Sequence, residues 1–311
     1  MEEFPGTIST LPLPASSGPA GLMPKARCEP TSVLDHRGLA GRQRMRRSRA
    51  VICGLARDVA GALASTIRAV EELGQMFADY RVIIFENDSR DGTNELLTAW
   101  SGDNPRVRIL SELLRHPINR PVRCLQRAAR MASYRNRYLA ELDRAFADFD
   151  YAIVVDTDLG GDWNTNGLAT SFSYPDWDFV GAYGILQIRM GRQRVPVHYD
   201  AWAYRAAGNF TPLSTKEVNQ MLLEVRNDLH PVSSCFGGLG IYRMPVLLSG
   251  YYSGEDCEHV TLHRRLHAAG YDRMFLNSAQ TTNYGEKTAS AWRRFRGAID
   301  HVCRQPATAA A

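Results

Sequence analysis

The 311-residue sequence lacks the features that define several classes of protein. It has no run of the roughly 18 uncharged apolar residues that a membrane-spanning helix needs, so an integral membrane protein is not expected. Its six cysteines are far apart and form no CxxC pair, which argues against a disulfide scaffold and a structural zinc site. The first residues, MEEFPGTIST, include two acidic residues where a signal peptide has a basic region. The pattern predicts a reduced, cytoplasmic protein.

The main body of the chain also lacks an excess of charge. The formal net charge is +4, and all of it lies in the first 50 residues, because acidic and basic residues balance over the rest. Nucleic acid is therefore not an expected partner. Residues 36–49 carry six arginines and no acidic residue. They are interpreted as a solvated basic tail or as a contact with an anionic acceptor or anionic membrane, which would place the protein at the inner face of that membrane.

Composition divides the chain into three parts. Residues 1–49 are predicted to be a disordered tail, first rich in Pro and Ser and then basic. Residues 50–300 are predicted to form one domain, without a linker or an internal repeat. Residues 301–311 are predicted to be a disordered C-terminal tail.

Apolar runs alternate with helical patterns in the first half of the domain. Strands are predicted at residues 50–55, 81–85, 106–110 and 151–155, and helices at 63–77, 91–100 and 121–149. Such alternation indicates an α/β fold with a mainly parallel sheet flanked by helices, in which ligands bind at the carboxyl ends of the strands. The second half is predicted to be loop-rich, with a helix over 255–270 and a last strand near 274–277.

Two aspartates follow the fourth predicted strand directly. Asp156 and Asp158 are spaced i, i+2, so their carboxylates can converge on one divalent cation, and hard oxygen ligands suit Mn²⁺ or Mg²⁺. The segment DTDLGGD at 156–162 is also similar to the motif of nucleoside hydrolases and, less closely, to that of haloacid-dehalogenase-type phosphatases. Those enzymes carry the motif on their first strand, whereas three strands precede it here. A hydrolase using these aspartates nevertheless stays open as the alternative.

Three further segments occur in order around the aspartate pair. They are VIIFENDSRDGT at 82–93, ASYRNRYL at 132–139, and GED at 254–256 with HRRLHAAGYDRMFLN after it. Together with the aspartates they resemble the family 2 glycosyltransferases and their relatives with the glycosyltransferase A-type (GT-A) fold. The resemblance implies a GT-A-type domain that uses Mn²⁺ or Mg²⁺. It would transfer a hexose from a nucleoside-diphosphate sugar to a hydroxyl of a glycan or lipid-linked acceptor.

The same resemblance assigns roles to residues of this chain. Asp156 and Asp158 would hold the metal, and Asp256, with Glu255 beside it, would deprotonate the acceptor hydroxyl. Polar side chains at strand ends would hold the base and ribose of the donor, and an arginine would neutralise its diphosphate. The donor-binding candidates are Arg57, Glu86, Asn87, Asp88, Arg135, Asn136 and Asp156.

A narrower resemblance concerns the donor sugar. HYDAWAYR at 198–205, SCFGGLGIY at 234–242 and the YRNRYL helix are similar to segments of the fungal capsule-associated α-1,3-mannosyltransferase family. This resemblance implies GDP-mannose as the donor and retention of the anomeric configuration. The GED element implies inversion instead, so the stereochemistry stays open, and a UDP-sugar stays an alternative donor.

Three histidines recur at four-residue spacing over the helix predicted at 255–270. They are His259, His263 and His267. A zinc site needs three or four converging ligands, so these histidines are predicted to form a surface or interface stripe. One of them stays a candidate for a third metal ligand.

Overall fold

The computed structural model describes residues 36–118, 123–222, 225 and 229–293. Residues 1–35 of the N-terminal tail predicted over 1–49, and the tail predicted over 301–311, lie outside the described residues, so their disorder stays a prediction. Within the described part of the chain, no helix is both long enough and apolar enough to span a bilayer.

The first half alternates helices and strands, as the sequence predicts. Its four strands end within two residues of the predicted bounds, because short segments rich in Val and Ile favour strands. The elements are α1 (His36–Met45), β1 (Arg49–Ala56), α2 (Ala60–Gly74), β2 (Asp79–Asn87), α3 (Thr93–Asp103), β3 (Val107–Glu112), α4 (Leu125–Phe146) and β4 (Tyr151–Asp156).

The second half is richer in strands than its irregular sequence suggests. A 3₁₀ turn (Thr157–Leu159) follows β4. The next elements are α5 (Thr165–Ser171), β5 (Phe179–Met190), β6 (Gln193–His198), β7 (Arg205–Ala206), α6 (Thr215–Leu222) and β8 (Leu229–Ser234). The last are β9 (Leu239–Arg243), α7 (Met244–Leu248), α8 (Glu258–Ala268) and β10 (Met274–Thr288). These strands pair with distant segments, which no local sequence pattern reports.

One sheet contains these strands in the order β3-β2-β1-β4-β9-β5-β10-β8-β7, with β6 paired to β5. Strands β3, β2, β1 and β4 are mutually parallel, and β10 is parallel to β5. Strand β9 runs antiparallel between β4 and β5. The sheet confirms the predicted α/β class and places the ends of β2, β1 and β4 side by side.

Helices cover both faces of the sheet. Side chains of β1 alternate between two apolar clusters, with Val51 in one and Ile52 in the other. Helices α4, α6, α7 and α8 pack over the first face, and Tyr138 and Leu262 are fully buried there. Helices α1, α2, α3 and α5 pack over the second face. The central strands are therefore buried on both sides, which fixes the positions of their carboxyl ends.

Helix α1 corrects the prediction that all of residues 1–49 are a disordered tail. Its Met45 is completely buried in the core. Its Gly41 lies so close to α5 that an added Cβ would come within 1.7 Å of the carbonyl oxygen of Ala169. Arg42 donates to the side chain of Asn166 (2.6 Å). The basic segment is thus partly a packed helix, and the domain begins before residue 50.

Candidate active site

The carboxyl ends of β1, β2 and β4 open into one cavity of about 450 Å³. These strands are parallel neighbours, so the residues that follow them lie at the same edge of the sheet. Side chains from α4, the start of α8, the β6–β7 segment and β10 complete the wall. Five of the predicted site residues line this cavity, namely Arg57, Asn87, Arg135, Asp156 and Asp158.

Asp156 and Asp158 lie at the end of β4, as predicted. Asp156 is the last residue of the strand and is half-buried, whereas Asp158 in the 3₁₀ turn is reached by solvent. Burial raises the pKa of Asp156 to about 7, and the charge of Asp158 adds to the rise. Partial desolvation by the surrounding protein also raises the pKa of Asp158. A cation placed between the two carboxylates would relieve this mutual destabilisation.

The ligand atoms at this point fit a hard divalent cation. Carboxylate oxygens are the donors that Mn²⁺ and Mg²⁺ favour. Among the described residues, no group of three or more His, Cys, Asp or Glu side chains converges on one point. Asp156 and Asp158 would therefore supply only part of the coordination sphere. Diphosphate oxygens and water would supply the rest, as is usual for Mg²⁺.

Arg135 places a fixed positive charge beside Asp156. It projects from α4, is 3% exposed, and has its Nη2 3.6 Å from Asp156 Oδ1. Its Nε donates to Oε1 of Glu258 at 3.3 Å. Burial lowers the pKa of Arg135, but Tyr138 and the two carboxylates raise it by more, to well above its ordinary value. The guanidinium stays charged and can either brace Asp156 or contact a diphosphate.

The three candidates at the end of β2 divide into one cavity residue and two loop-shaping residues. Asn87 lines the cavity. Glu86 is buried and accepts from the backbone N–H of Ser89 (2.9 Å) and from the hydroxyl of Ser111. Asp88 accepts from the backbone N–H groups of residues 115 and 116, at 2.7 and 3.0 Å. Both carboxylates therefore have intramolecular partners that hold the β2 and β3 ends together.

Asp88 also lines a neighbouring cavity of about 440 Å³, together with Arg90 and Arg115. Burial alone would raise the pKa of Asp88. Hydrogen bonds from Asn87 and from two backbone amides, with the charge of Arg57, lower the pKa by more, so that the net direction is down. This second cavity therefore has an ionised carboxylate on its wall.

Arg57 joins the end of β1 to the segment after β3. Its Nη2 donates to the carbonyl of His116 (2.7 Å) and its Nη1 to that of Pro117 (3.2 Å). Its side chain also lies 3.8 Å from Oδ2 of Asp88. Arg57 lines the cavity, and these carbonyls fix its position there.

Asn136 does not line the cavity among the described residues. Its side-chain nitrogen donates to the carbonyl of Tyr252, and its side-chain oxygen accepts from the N–H of Tyr252, both at 3.0 Å. This two-bond contact holds the segment before α8 against α4. The geometry gives Asn136 a structural task rather than contact with the donor.

Glu255 and Asp256 are likewise not placed on the described cavity wall. Both oxygens of Asp256 accept from Nη2 of Arg205, at 2.9 and 2.8 Å, and the side chain of Glu255 is 67% exposed. Helix α8 begins at Glu258 rather than at residue 255, and Glu258 and His259 line the cavity instead.

The histidines of α8 correct the predicted surface stripe. His259 and His263 are almost completely buried. His263 lies between the hydroxyls of Ser234 (2.8 Å) and Tyr242 (2.9 Å). His259 stacks on Phe236 with 3.8 Å between ring centroids. Burial lowers the pKa of both histidines, so both rings are neutral at physiological pH.

Sequence reasoning missed several wall residues that come from distant segments. Tyr284 of β10 donates from its hydroxyl to Asp156 Oδ2 (3.3 Å) and stacks on Tyr199. Asp200 follows Tyr199 in the β6–β7 segment, and both line the cavity. The segment HYDAWAYR held the only signal for Asp200, through its resemblance to a family. Nothing local in the sequence points to Tyr284.

No family model and no curated protein matches the sequence. Among solved structures, the fold is similar to the mannosyltransferase PcManGT from Pyrobaculum calidifontis in complex with GDP-Man and Mn²⁺ (TM-score 0.49, 13% identity, 85% of this chain). It is also similar to GalNAc-T7 with UDP, GalNAc and Mn²⁺ (0.47, 11%, 78%). A third similar structure is glucosyl-3-phosphoglycerate synthase from Mycobacterium tuberculosis in complex with UDP (0.44, 15%, 90% of this chain and 87% of that one).

This chain spans 66% of the length of the first of these proteins and 45% of the second. The identity is 15% or less for each of the three, and each TM-score is below 0.5. The function of the present chain has to be inferred from its own site.

Proposed function

We propose that this chain is a divalent-metal-dependent glycosyltransferase. It would move a hexose from a nucleoside-diphosphate sugar to a hydroxyl of a glycan or lipid-linked acceptor. The observation that carries the proposal is the pairing of Asp156 and Asp158 at the end of β4, next to the buried charge of Arg135. A diphosphate with its divalent cation matches this combination of two carboxylates and one guanidinium.

The described side chains suggest how a donor would be held. Asn87 and Arg57 stand at the ends of β2 and β1, where a nucleoside would be held by hydrogen bonds. A cation bound by Asp156 and Asp158 would offset the charge that develops on the leaving diphosphate. Arg135 is fixed by Glu258 and Asp156, so it needs little reorganisation to add a second positive charge there.

Mannose is the first sugar to test, with GDP-mannose as the donor and UDP-sugars as the alternative. The reason is the resemblance of residues 198–205 and 234–242 to a mannosyltransferase family. The two resemblances imply opposite stereochemical outcomes, retention and inversion. The anomeric configuration of the first-formed product would decide between them.

The assignment of Asp256 as the base stays a prediction, and its geometry does not favour it. A base must reach the acceptor hydroxyl, whereas both oxygens of Asp256 contact Arg205.

Contact with an anionic membrane also stays a prediction. Arg46 and Arg47 are exposed after α1, and Leu39 is exposed on it, a combination that would suit a peripheral contact from the cytoplasmic side.

Turnover of nucleotide sugars tests the proposal directly. Release of nucleoside diphosphate would be measured with GDP-mannose, UDP-glucose and UDP-N-acetylglucosamine, each with Mn²⁺ and with EDTA. We expect Mn²⁺-dependent release from one donor class, and loss of that release in Asp158→Asn. Asp176→Asn is the matched control, because the side chain of Asp176 is 77% exposed and is not among the described residues that line the cavity. Free base released from a nucleoside, or phosphate released from a phosphomonoester, would instead favour the hydrolase alternative.

A further inference from the structure

Five carboxylates line the larger cavity: Asp58, Asp156, Asp158, Asp200 and Glu258. The aspartate pair at the end of β4 is assigned to the metal. Glu258 is paired with Arg135 at 3.3 Å. Asp58 accepts from the backbone N–H of Arg90 at 2.8 Å and has Arg57 within 3.9 Å. Among these five carboxylates of the described chain, Asp200 is the one that has neither a proposed metal role nor a cationic group within 4.0 Å.

Asp200 lies on the opposite side of the aspartate pair from the nucleoside candidates. Along the sheet, β2 and β1 lie on one side of β4, whereas β9 and β5 lie on the other. Strand β6 pairs with β5, and Asp200 follows β6 by two residues. A donor bound with its nucleoside at β1 and β2 and its diphosphate at β4 would therefore point its sugar towards Asp200.

A single turn of the backbone holds both Asp200 and Asp156. The N–H of Gly237 donates to Asp200 Oδ2 (3.2 Å), and the carbonyl of Gly238 accepts from the N–H of Asp156 (2.9 Å). Gly237 has φ +66°, and an added Cβ would lie 2.1 Å from the carbonyl oxygen of Ala182. The turn is closely packed, so it holds the carboxylate of Asp200 and the backbone of Asp156 close to each other.

Aromatic rings frame the space beside Asp200. Tyr199 stacks on Tyr284, with 4.0 Å between ring centroids, and Tyr284 contacts Asp156. Trp202 lines the same cavity, and Arg127 lies over its ring at 5.8 Å. These flat apolar faces next to a carboxylate suit a sugar, which presents both C–H faces and hydroxyls.

We propose that Asp200 is the catalytic base that accepts the proton of the acceptor hydroxyl. This inference rests on the proposed function with inversion of the anomeric configuration. The proton passes from the acceptor O–H to an Asp200 oxygen while the acceptor oxygen bonds to the anomeric carbon. The bond from that carbon to the diphosphate oxygen breaks, and its electron pair leaves on the diphosphate.

The environment of Asp200 supports such a task. Burial raises its pKa, and hydrogen bonds from the backbone of Gly237 and Ala203, with the charges of two arginines, offset the rise only in part. A base whose pKa is raised towards the working pH transfers protons more effectively. The carboxylate is half-buried rather than sealed, so an acceptor can reach it.

Asp200→Asn tests the proposal, because an amide oxygen can still accept from Gly237 while the base is lost. The assays are GDP release from GDP-mannose with Mn²⁺, with water or methyl α-D-mannopyranoside as the acceptor, and binding of GDP with Mn²⁺ by calorimetry. We expect kcat to fall by about 10²–10⁴-fold, with unchanged GDP affinity and melting temperature. Asp176→Asn is the control and should match the wild type in all of these.

Two results would overturn the assignment. In the first, Asp200→Asn has a kcat close to that of the wild type, and only Asp200→Ala lowers the melting temperature. Asp200 would then only stabilise the turn at Gly237 through its hydrogen bond. An equal loss of GDP affinity and kcat would make it a donor-binding residue. Failure of the proposed function looks different, because the wild-type protein itself would then show no Mn²⁺-dependent binding of GDP or UDP.

Discussion

Replacing Asp256 by Asn should destabilise the protein rather than stop its chemistry. Breaking a buried ion pair by removing one partner costs about 3–5 kcal/mol. Arg205 is 1% exposed and Asp256 is 18% exposed, so solvent can recover part of that loss. Arg205 also keeps hydrogen bonds to the carbonyls of Trp202, Tyr204 and Phe210. We therefore expect a loss of about 2–4 kcal/mol in the free energy of unfolding.

Thermal unfolding checks this value. In a domain of this size, at about 2 °C per kcal/mol, the expected loss lowers the melting temperature by roughly 4–8 °C. Glu255→Gln is the matched control, because its exposed side chain should change stability by no more than about 0.5 kcal/mol. Turnover per folded molecule of Asp256→Asn should stay close to that of the wild type. An unchanged melting temperature with a kcat lowered by about 10²–10⁴-fold would refute this reasoning and restore Asp256 as the base.

Three further perturbations test other parts of the account. The raised pKa of Asp156 means that, without a divalent cation, this group stabilises the fold at low pH and loses that effect as the pH rises through about 7. The charge of Asp158 contributes to the raised pKa of Asp156, so Asp158→Asn should reduce this loss of stability. In EDTA, the melting temperature of Asp158→Asn minus that of the wild type should therefore increase from pH 5 to pH 8. A constant difference would contradict this. Gly237→Ala should cost about 2 kcal/mol or more in urea unfolding, whereas Gly191→Ala, with φ +62° but open space around it, should cost about 1 kcal/mol. Met45→Ala should cost about 2–5 kcal/mol if α1 belongs to the core, and no effect would return it to a tail.

The first four strands and the aspartate pair were predictable because their signals are local. Each strand contains a short segment rich in Val, Ile or Leu, and a strand that ends in Asp156 places that carboxylate at the edge of the sheet. Helix α1 was missed because its packing depends on Gly41, whose missing side chain allows close contact with α5. Hydropathy cannot distinguish an arginine-rich helix with small residues, such as α1, from a solvated tail.

The rest of the site depends on contacts between distant segments. Tyr284 contacts Asp156 across 128 positions of sequence. Asp200 contacts the same turn as Asp156 because β6, which precedes it, pairs with β5 in the sheet. Sequence spacing indicated Glu255 and Asp256 at the start of the helix predicted over 255–270. It could not show that Asp256 pairs with Arg205 while Glu258 faces the cavity, because this follows from where the helix begins.

Calorimetric titration of the wild-type protein and Asp158→Asn with GDP and UDP, in Mn²⁺ and in EDTA, tests the central claim most directly. The account predicts binding of one nucleotide to the wild type in Mn²⁺, with strong weakening in EDTA and in Asp158→Asn. Binding that is equally strong in EDTA or in Asp158→Asn would contradict a metal-bridged diphosphate site at the end of β4.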